Sequence, residues 1–287
     1  MTNELDRRAF LKAGSRVGAG MMLAGAAAAQ TAGEQPQPQP AGKPVRIGLV
    51  GYGKRGRSLI STLNALGPDV EIRAICDVLP ERVAEAQTAL EGMGRPKPAG
   101  YAQGEEDFRR LCEQEDLDIV MNAAPWHWHV PICVAAMESG KHTATEVPAA
   151  VTVDECWQLV EISEKTQKHC MMLENCCYDF FELLTLNMIR QGMFGEIVHG
   201  EGAYIHTLLD SNFNKTGYYD MWRLKENFRN GNLYPTHGLG PVAQAMDINR
   251  GDKMDYLVAV SGNDFLMGAT AAALASKDDF FKVYANK

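Results

Sequence analysis

Short apolar runs alternate with helical patterns between residues 45 and 175. Val45–Val50 and Val70–Cys76 are continuous apolar runs that predict buried strands, and Ser58–Leu66 between them carries leucines at helical spacing. Because strands alternating with helices form parallel sheets, the pattern predicts a doubly wound α/β fold. It also predicts strands at Leu117–Ala123, Lys141–Glu146 and His169–Glu174, helices at Pro80–Leu90, Glu105–Glu115 and Val130–Ser139, a polar loop at Gly92–Gly104 and a capping box at Thr152–Glu155.

A glycine motif follows the first apolar run. Gly51, Gly53 and Gly56 have the spacing of a dinucleotide-binding turn, in which the glycines permit the tight turn, the approach of a pyrophosphate and close helix–strand packing. Asp77 ends the second run about twenty residues later, where a carboxylate accepts hydrogen bonds from a ribose diol. Since a carboxylate repels a 2′-phosphate, the motif favours NAD over NADP.

The pattern changes after residue 175, and we predict an NAD-binding domain over 45–175 and a substrate domain over 176–287. The region between Gly217 and Gly251 is rich in Tyr, Asn, Gly and Arg, a composition that suits an active-site insert better than a core. A helix is predicted at Phe180–Gln191 and strands at Ile197–His206, Tyr256–Ser261 and Phe280–Tyr284. Because the chain stops after this last run, we expect it to be a C-terminal truncation.

The first 44 residues have the composition of a leader and a linker. Arg7–Lys12 is a twin-arginine pattern, and an alanine run at Ala26–Ala29 follows a Gly/Ala-rich stretch. We therefore expect a signal peptide over 1–29, a Pro/Gln-rich linker over 30–44, and export to the periplasm or the exterior. The alternative, an amphipathic first helix, is disfavoured by these glycines and alanines.

Composition excludes several classes of partner. The net charge of −8 offers no basic patch for nucleic acid. No run of eighteen apolar residues is present, so we expect no permanent membrane span. The seven cysteines have no metal-like spacing, and we predict no metal site.

Polar side chains occur where the predicted parallel strands end. Because the carboxyl ends of parallel strands share one edge of the sheet, a ligand should lie there. The residues that this topology brings to the edge are Gly51, Asp77, Pro125–His129, Glu146 and Asn175.

These residues carry a resemblance to a known family. The glycine motif, the Pro-Trp-His-Trp-His run at 125–129, Glu146-Val147-Pro148 and Gly192-x-x-Gly195 resemble the Gfo/Idh/MocA oxidoreductases over residues 45–287. That family pairs a Rossmann domain with a second α+β domain that has an open, mostly antiparallel sheet, through which its members often form homo-oligomers. The leader and the block Gly217–Asp255 are similar, more narrowly, to glycoside hydrolase family 109, the NAD-dependent α-N-acetylgalactosaminidases.

One departure from the broad family separates two activities. Its sugar dehydrogenases usually carry Glu-Lys-Pro, where the lysine assists proton transfer, and Val147 holds that place here. The valine therefore favours the hydrolase branch. The alternatives are an NAD-dependent sugar dehydrogenase and a non-catalytic sugar-binding protein that retains NAD.

The resemblance implies the residues of the site. His237 is the catalytic base, since imidazole titrates near working pH, with a structural histidine as the alternative. The resemblance also implies that Tyr204 contacts substrate. From their residue types we expect Tyr234 to bind the sugar or relay protons, and Arg223 to hold the acetamido carbonyl or a hydroxyl. The alternatives are core packing for the tyrosines and a surface ion pair for the arginine. The implied NAD contacts are Gly51, Gly53, Arg55, Gly56, Asp77, Trp126, His127, Trp128, His129, Glu146, Val147 and Asn175. The alternatives are simple packing for the aromatic run, solvent-exposed strand ends for Glu146 and Asn175, and a solvated loop charge for Arg55.

In the implied reaction NAD⁺ takes a hydride from the sugar and returns it at the end of the cycle. NAD⁺ accepts hydride from carbon 3 of a terminal α-N-acetylgalactosamine, the resulting ketone acidifies the proton on carbon 2, and elimination releases the aglycone. Water then adds, and the hydride returns. Because no net redox change occurs, we expect NAD to stay tightly bound between turnovers.

Overall fold

The centre of the fold is a six-stranded sheet with the order β3-β2-β1-β4-β5-β6, in which every pairing is parallel. The strand order reverses between β1 and β4, and this switch opens a crevice at the carboxyl ends of the strands. The doubly wound α/β prediction is therefore confirmed. The strands are β1 (Val45–Val50), β2 (Val70–Cys76), β3 (Ala99–Tyr101), β4 (Ile119–Asn122), β5 (His142–Thr145) and β6 (Cys170–Met172).

The computed structural model describes residues 42–227, 229, 231–262 and 265–285. The expected signal peptide over 1–29 and residues 30–41 of the expected linker lie outside the described residues. Within the described ranges, no helix has both the length and the apolar composition needed to cross a membrane.

Helices cover both faces of the sheet and seal two apolar clusters against it. Leu49, Ile75 and Val120 on the central strands are fully buried, as the continuous apolar runs predict. The helices are α1 (Lys54–Ala65), α2 (Pro80–Gly92), α3 (Phe108–Gln114), α4 (His129–Glu138), α5 (Val153–Thr166), α6 (Phe180–Arg190), α7 (Leu209–Asn212), α8 (Trp222–Glu226), α9 (Thr236–Ala245) and α10 (Leu266–Ala275).

The capping box at the start of α5 is confirmed. Thr152 Oγ1 accepts a hydrogen bond from the Glu155 backbone N–H at 3.2 Å, and the Glu155 carboxylate accepts one from the Thr152 N–H at 3.0 Å. The two residues therefore satisfy two donors at the exposed N-terminus of the helix.

The loop predicted at Gly92–Gly104 contains a strand that the sequence does not reveal. Residues 99–101 pair with Ala74–Cys76 of β2. A Cβ on Gly100 would lie 2.8 Å from Val83 Cγ1, so only glycine lets this strand approach α2. Because the strand has three residues, it shows no period that a sequence pattern could report.

The strands predicted in the second half are wrong within the described residues. Ile197–His206 and Tyr256–Ser261 form no strand there. Ile205 and Leu257 are 94% and 90% exposed, because these segments have no sheet neighbour among the described residues. The open antiparallel sheet implied by the family is accordingly not seen in this part of the chain.

The run Phe280–Tyr284 was also predicted as a strand, and that prediction is wrong. It forms a 3₁₀ helix, Asp279–Val283, whose start is capped by Asp278 accepting from the Phe280 N–H at 3.0 Å. Phe281 and Tyr284, three positions apart, share one buried face. The side-chain period is therefore three and not two.

Candidate active site

The glycine turn has the geometry of a nucleotide cradle. Gly51 has φ +91°, and a Cβ there would lie 2.7 Å from the Ala123 backbone. A Cβ on Gly56 would lie 2.0 Å from the Gly51 carbonyl oxygen, so glycine lets α1 pack against the turn. Gly53 faces open space, with only an Arg82 nitrogen as near as 4.0 Å to a Cβ there. That space is where a pyrophosphate approaches the backbone.

The N-terminus of α1 is suited to an anion. Gly53 is its N-cap, no side chain caps its first N–H groups, and its first turn carries no acidic residue. The helix dipole and the uncapped donors therefore face the cradle without a competing negative charge.

Asp77 is fixed at the edge of the sheet beside this turn. Its Oδ2 accepts the Tyr52 N–H at 2.7 Å, and its Oδ1 accepts the Leu79 N–H at 3.0 Å. Arg82 Nη1 lies 3.7 Å from Oδ2. Each carboxylate oxygen keeps a further lone pair, so the residue fits a ribose diol. Asp77, the glycine turn and the α1 N-terminus together fit NAD.

A cavity of about 360 Å³ opens in front of these groups. It is bounded on one side by the Rossmann crevice and on the other by residues 216–222 of the second half of the chain. Its size is that of a small-molecule site. The lining includes Gly51, Gly53, Lys54, Arg57, Asp77, Arg82, Pro125, His127, Trp128, Thr216, Gly217, Tyr218, Tyr219, Asp220 and Trp222.

The aromatic run after β4 divides between two environments. His127 and Trp128 line the cavity, whereas Trp126 is buried and stacks on Tyr234 with ring centroids 5.6 Å apart. His129 is 1% exposed, with Nδ1 2.6 Å from the Pro148 carbonyl oxygen and Nε2 2.9 Å from that of Ala124. Burial lowers the pKa of His129. The structure thus places His129 in the scaffold between two strand ends and not on the cavity wall.

Arg55 and the Glu146 turn connect the glycine turn to the second half of the chain. Arg55 Nε donates to Glu146 Oε1 at 2.6 Å, and the Tyr234 hydroxyl donates to the Val147 carbonyl at 3.2 Å. Arg55, Glu146 and Val147 are not among the residues that line the cavity. Their contacts hold Tyr234 against the carboxyl edge of the sheet.

Tyr234, Tyr204, Trp126 and Arg223 form one cluster. The Arg223 guanidinium lies 5.0 Å from the Trp126 ring centre and 5.2 Å from that of Tyr234, and its Nη2 donates to the Tyr204 hydroxyl at 3.5 Å. Burial raises the pKa of both tyrosines, which keeps their hydroxyls protonated at neutral pH. The cluster therefore offers aromatic faces, hydroxyls and a cation, the groups that bind a sugar.

His237 lies in the first turn of α9, against this cluster. Its ring centroid is 4.8 Å from that of Tyr234 and 5.4 Å from that of Tyr204. Its Nδ1 lies 2.5 Å from Glu174 Oε1, within hydrogen-bond distance. A histidine paired with a buried carboxylate and bordered by hydroxyls has the parts of a general base and its orienting group.

Glu174 is a residue of this cluster that the sequence analysis did not select. The signal was present, since Glu174 is an acidic residue at the end of an apolar run, as Glu146 is. The prediction chose the next residue, Asn175. The structure leaves Asn175 exposed, with its amide 3.7 Å from Cys176 Sγ, and does not bring it to the cavity.

One ligand atom from each of Glu174, Cys176 and His237 lies within 4.8 Å of the others. Carboxylate, thiolate and imidazole are also the side chains that bind zinc in proteins. Zinc at about 2.0 Å from nitrogen and oxygen needs those donors roughly 3.3 Å apart. The Glu174–His237 separation of 2.5 Å leaves no room for an ion between these two atoms. The arrangement is that of a hydrogen bond.

The predicted site residues therefore form two neighbouring groups. The first is the cavity with the glycine turn, Asp77, His127 and Trp128. The second is the cluster around His237, whose members do not line that cavity. Trp222 joins the groups, because it lines the cavity and packs on Trp126 with centroids 5.4 Å apart.

Two family models match the chain in succession. The model described as "Oxidoreductase family, NAD-binding Rossmann fold" matches residues 45–174. The model described as "Glycosyl hydrolase 109, C-terminal domain" matches residues 178–273. The first covers the cradle and Glu174, and the second covers Tyr204, Arg223, Tyr234 and His237.

Curated relatives are similar along nearly the whole chain. Glycosyl hydrolase family 109 protein 1 of Shewanella sp. (strain MR-7) is 44% identical over 293 residues, covering 97% of this chain and 62% of the relative. The α-N-acetylgalactosaminidase of Shewanella oneidensis is also 44% identical with the same coverage. The chain thus spans 62% of the length of these relatives.

Solved structures share the fold. Myo-inositol 2-dehydrogenase from Lactobacillus plantarum matches with a TM-score of 0.56 at 15% identity, over 71% of this chain and 57% of that one. A probable dehydrogenase from Thermotoga maritima matches with a TM-score of 0.52 at 18% identity, over 71% and 55%. At these identities the likeness is one of fold.

Proposed function

The chain belongs to glycosyl hydrolase family 109, a branch of the NAD-binding Gfo/Idh/MocA oxidoreductases, and from this membership we propose that it is an NAD-dependent glycosidase. The proposed substrate is a glycan with a terminal α-N-acetylgalactosamine. A relative named for that activity, 44% identical over 293 residues, supports the choice of sugar.

The observation that carries the proposal is the Glu174–His237 pair at the carboxyl edge of a dinucleotide-binding sheet. Glu174 follows β6, the glycine turn follows β1, and both lie on that one edge. Imidazole held by a carboxylate serves as a base near neutral pH. Tyr204, Tyr234 and Arg223 surround it with sugar-binding groups.

Each part of the chain has a defined task in the proposed reaction. The glycine turn and the α1 N-terminus bind the pyrophosphate, and Asp77 binds a ribose. NAD, when bound, supplies the acceptor and donor of hydride at carbon 3 of the sugar. His237 Nε2 takes the proton of the carbon-3 hydroxyl and gives it back. The Tyr234 hydroxyl donates to the Val147 carbonyl, so it binds the sugar as a hydrogen-bond acceptor.

The environment of residue 147 favours hydrolysis over net oxidation. Val147 is 2% exposed and offers only its carbonyl, which Tyr234 occupies. The turn therefore supplies no side-chain ammonium to carry away the proton of an oxidised hydroxyl. A reaction cycle that returns both the hydride and the proton to the sugar needs no such proton acceptor. NAD is oxidised again at the end of each cycle and stays bound.

The test uses the full-length protein, purified without added NAD, in deuterated water with a chromogenic α-N-acetylgalactosaminide. Release of the aglycone with deuterium at carbon 2 of the sugar is the expected result. His237→Asn should abolish both signals, and His199→Asn, at an exposed histidine, should retain them. Accumulation of NADH with an oxidised sugar indicates a dehydrogenase instead. Bound NAD with neither signal indicates a sugar-binding protein.

We propose further that the protein is exported by the twin-arginine route and acts in the periplasm or outside the cell. The Arg7–Lys12 pattern and the alanine run support this proposal. Replacing both arginines with lysine should leave the protein in the cytoplasmic fraction, and unchanged fractionation would contradict the export proposal.

Assembly into a homo-oligomer stays a prediction. Sedimentation velocity measures the oligomeric state and tests it.

A further inference from the structure

We propose that Glu174 is a positioning residue, which holds His237 in the tautomer that leaves Nε2 free to act as the base. This inference rests on the proposed function, because it assigns a task to His237. It concerns the resting protein, however, so it can be tested without turnover.

The Glu174 carboxylate is fixed by a backbone hydrogen bond as well as by its contact with His237. Glu174 Oε1 accepts the Cys176 backbone N–H at 3.0 Å and lies 2.5 Å from His237 Nδ1. The Glu174 side chain is 5% exposed and that of His237 is 18% exposed. One oxygen therefore ties the turn after β6 to the start of α9, with little water to compete.

The chemistry of the acceptor selects the tautomer. An ionised carboxylate only accepts hydrogen bonds, so Nδ1 must carry the hydrogen. In neutral imidazole the other nitrogen, Nε2, then carries the lone pair. Without Glu174 either nitrogen could hold the proton, and a share of the molecules would present an N–H where the reaction needs a base.

Packing fixes the direction of the ring. The Tyr234 ring is edge-on to the His237 ring, with 79° between the ring planes. The Tyr204 ring is tilted against the His237 ring, with 54° between the planes. Gly240, one turn after His237, lets α9 approach, because a Cβ there would lie 3.2 Å from Glu174 Cγ and 2.8 Å from Cys177 Sγ. The helix face that carries His237 is thus pressed against the carboxylate.

The second carboxylate oxygen of Glu174 leaves the contacts of this side chain to the first. Glu174 Oε2 is buried and has no hydrogen-bond partner among the described residues. The contacts that hold this carboxylate are therefore those of Oε1 with the Cys176 N–H and with His237.

The experiment compares Glu174→Gln with Glu161→Gln, which changes an exposed carboxylate of α5. Nitrogen-15 NMR of histidine-labelled, NAD-loaded protein reports the tautomer, and His237→Asn identifies the signal among the seven histidines. We expect Nδ1–H in the wild type and in Glu161→Gln. In Glu174→Gln the amide can donate as well as accept, so the signal should move toward a mixture of tautomers.

The kinetic expectation separates positioning from binding. Glu174→Gln should lower kcat roughly 100-fold or more, by analogy with other histidines held in the wrong tautomer. KM should stay within about twofold, because only groups that touch the substrate set ground-state binding. Bound NAD should not change. Melting curves show whether Glu174→Gln folds. If that variant does not fold, the tautomer of His237 measured in the wild type still tests the proposal.

Three results would overturn the proposal. The first is Nε2–H in the wild-type resting protein. The second is an unchanged tautomer with unchanged kcat in folded Glu174→Gln. The third is one equivalent of zinc in the purified protein that disappears, with activity, in Cys176→Ser, since the three side chains would then be metal ligands. If Nδ1–H is found but the sugar acquires no deuterium, the glycosidase proposal fails and the positioning assignment stands.

Discussion

A pair of glycine substitutions tests whether the turn after β1 is built for a nucleotide or only for packing. Gly56→Ala places a Cβ 2.0 Å from the Gly51 carbonyl oxygen and 3.0 Å from its carbon. Gly53→Ala places a Cβ in open space, with its nearest neighbour, an arginine nitrogen, 4.0 Å away. The first change should therefore affect the fold, and the second only the ligand.

The magnitudes follow from these distances. Non-bonded contacts relax near about 3.5 Å, so α1 must move outward by roughly 1 Å or more in Gly56→Ala. The obstacle is backbone and cannot rotate away, which puts the loss at the upper end of overpacking, about 3 kcal/mol in the free energy of unfolding. Gly53 has φ −74°, which alanine adopts freely. Losing glycine at an N-cap should cost less than about 1 kcal/mol.

The assay measures stability and nucleotide separately. Urea denaturation of both NAD-free variants gives the free energy of unfolding, and titration of the NAD-free proteins with NAD gives the dissociation constant. We expect Gly53→Ala to unfold almost as the wild type does but to bind NAD at least about tenfold more weakly, a loss of about 1.4 kcal/mol. Wild-type NAD affinity in Gly53→Ala, or wild-type stability in Gly56→Ala, would refute the reasoning about this turn.

Three further predictions concern single side chains. Thr152→Ala removes the exposed capping box of α5 and should lower the free energy of unfolding by about 1 kcal/mol in urea titrations. Thr152→Ser keeps the hydroxyl and should retain most of the wild-type stability. Burial lowers the pKa of His129 by more than the Pro148 and Ala124 carbonyls raise it, so the unfolded chain binds a proton that the folded chain does not. Stability should be full above the unfolded pKa of about 6.5 and fall below it, by at most about 1.4 kcal/mol per pH unit. Urea titrations between pH 5 and 8 should show this slope reduced in His129→Gln, and an equal slope would contradict the assignment. Tyr234→Phe removes the hydroxyl that binds the Val147 carbonyl and should lower kcat about 100-fold with NAD occupancy unchanged; wild-type kcat would exclude a catalytic role for that hydroxyl.

Much of the cradle and sheet could be predicted because their causes are local. Gly51 adopts φ +91°, which side chains disfavour, and the central strands are buried on both faces and so read as continuous apolar runs. Asp77 was placed correctly at the cavity because it directly follows such a run. Steric rules within a few residues determine each of these features.

Strand pairing in the second half could not be predicted in the same way. Ile197–His206 has the composition of a strand, yet no strand forms there among the described residues. A strand exists only when another backbone accepts and donates its hydrogen bonds. Composition reports the preference of a segment, whereas the tertiary structure decides whether a partner is present.

The sequence alone predicted that a nucleotide-binding sheet would present polar groups at one edge, and its family resemblance pointed to His237 as the base. Only the tertiary structure decided that Glu174, 63 residues away, holds that histidine and that Asn175 beside it is exposed. The physical reason is that neighbouring residues at a strand end point in different directions, and the packing of α9 against the turn after β6 selects which of them meets the imidazole.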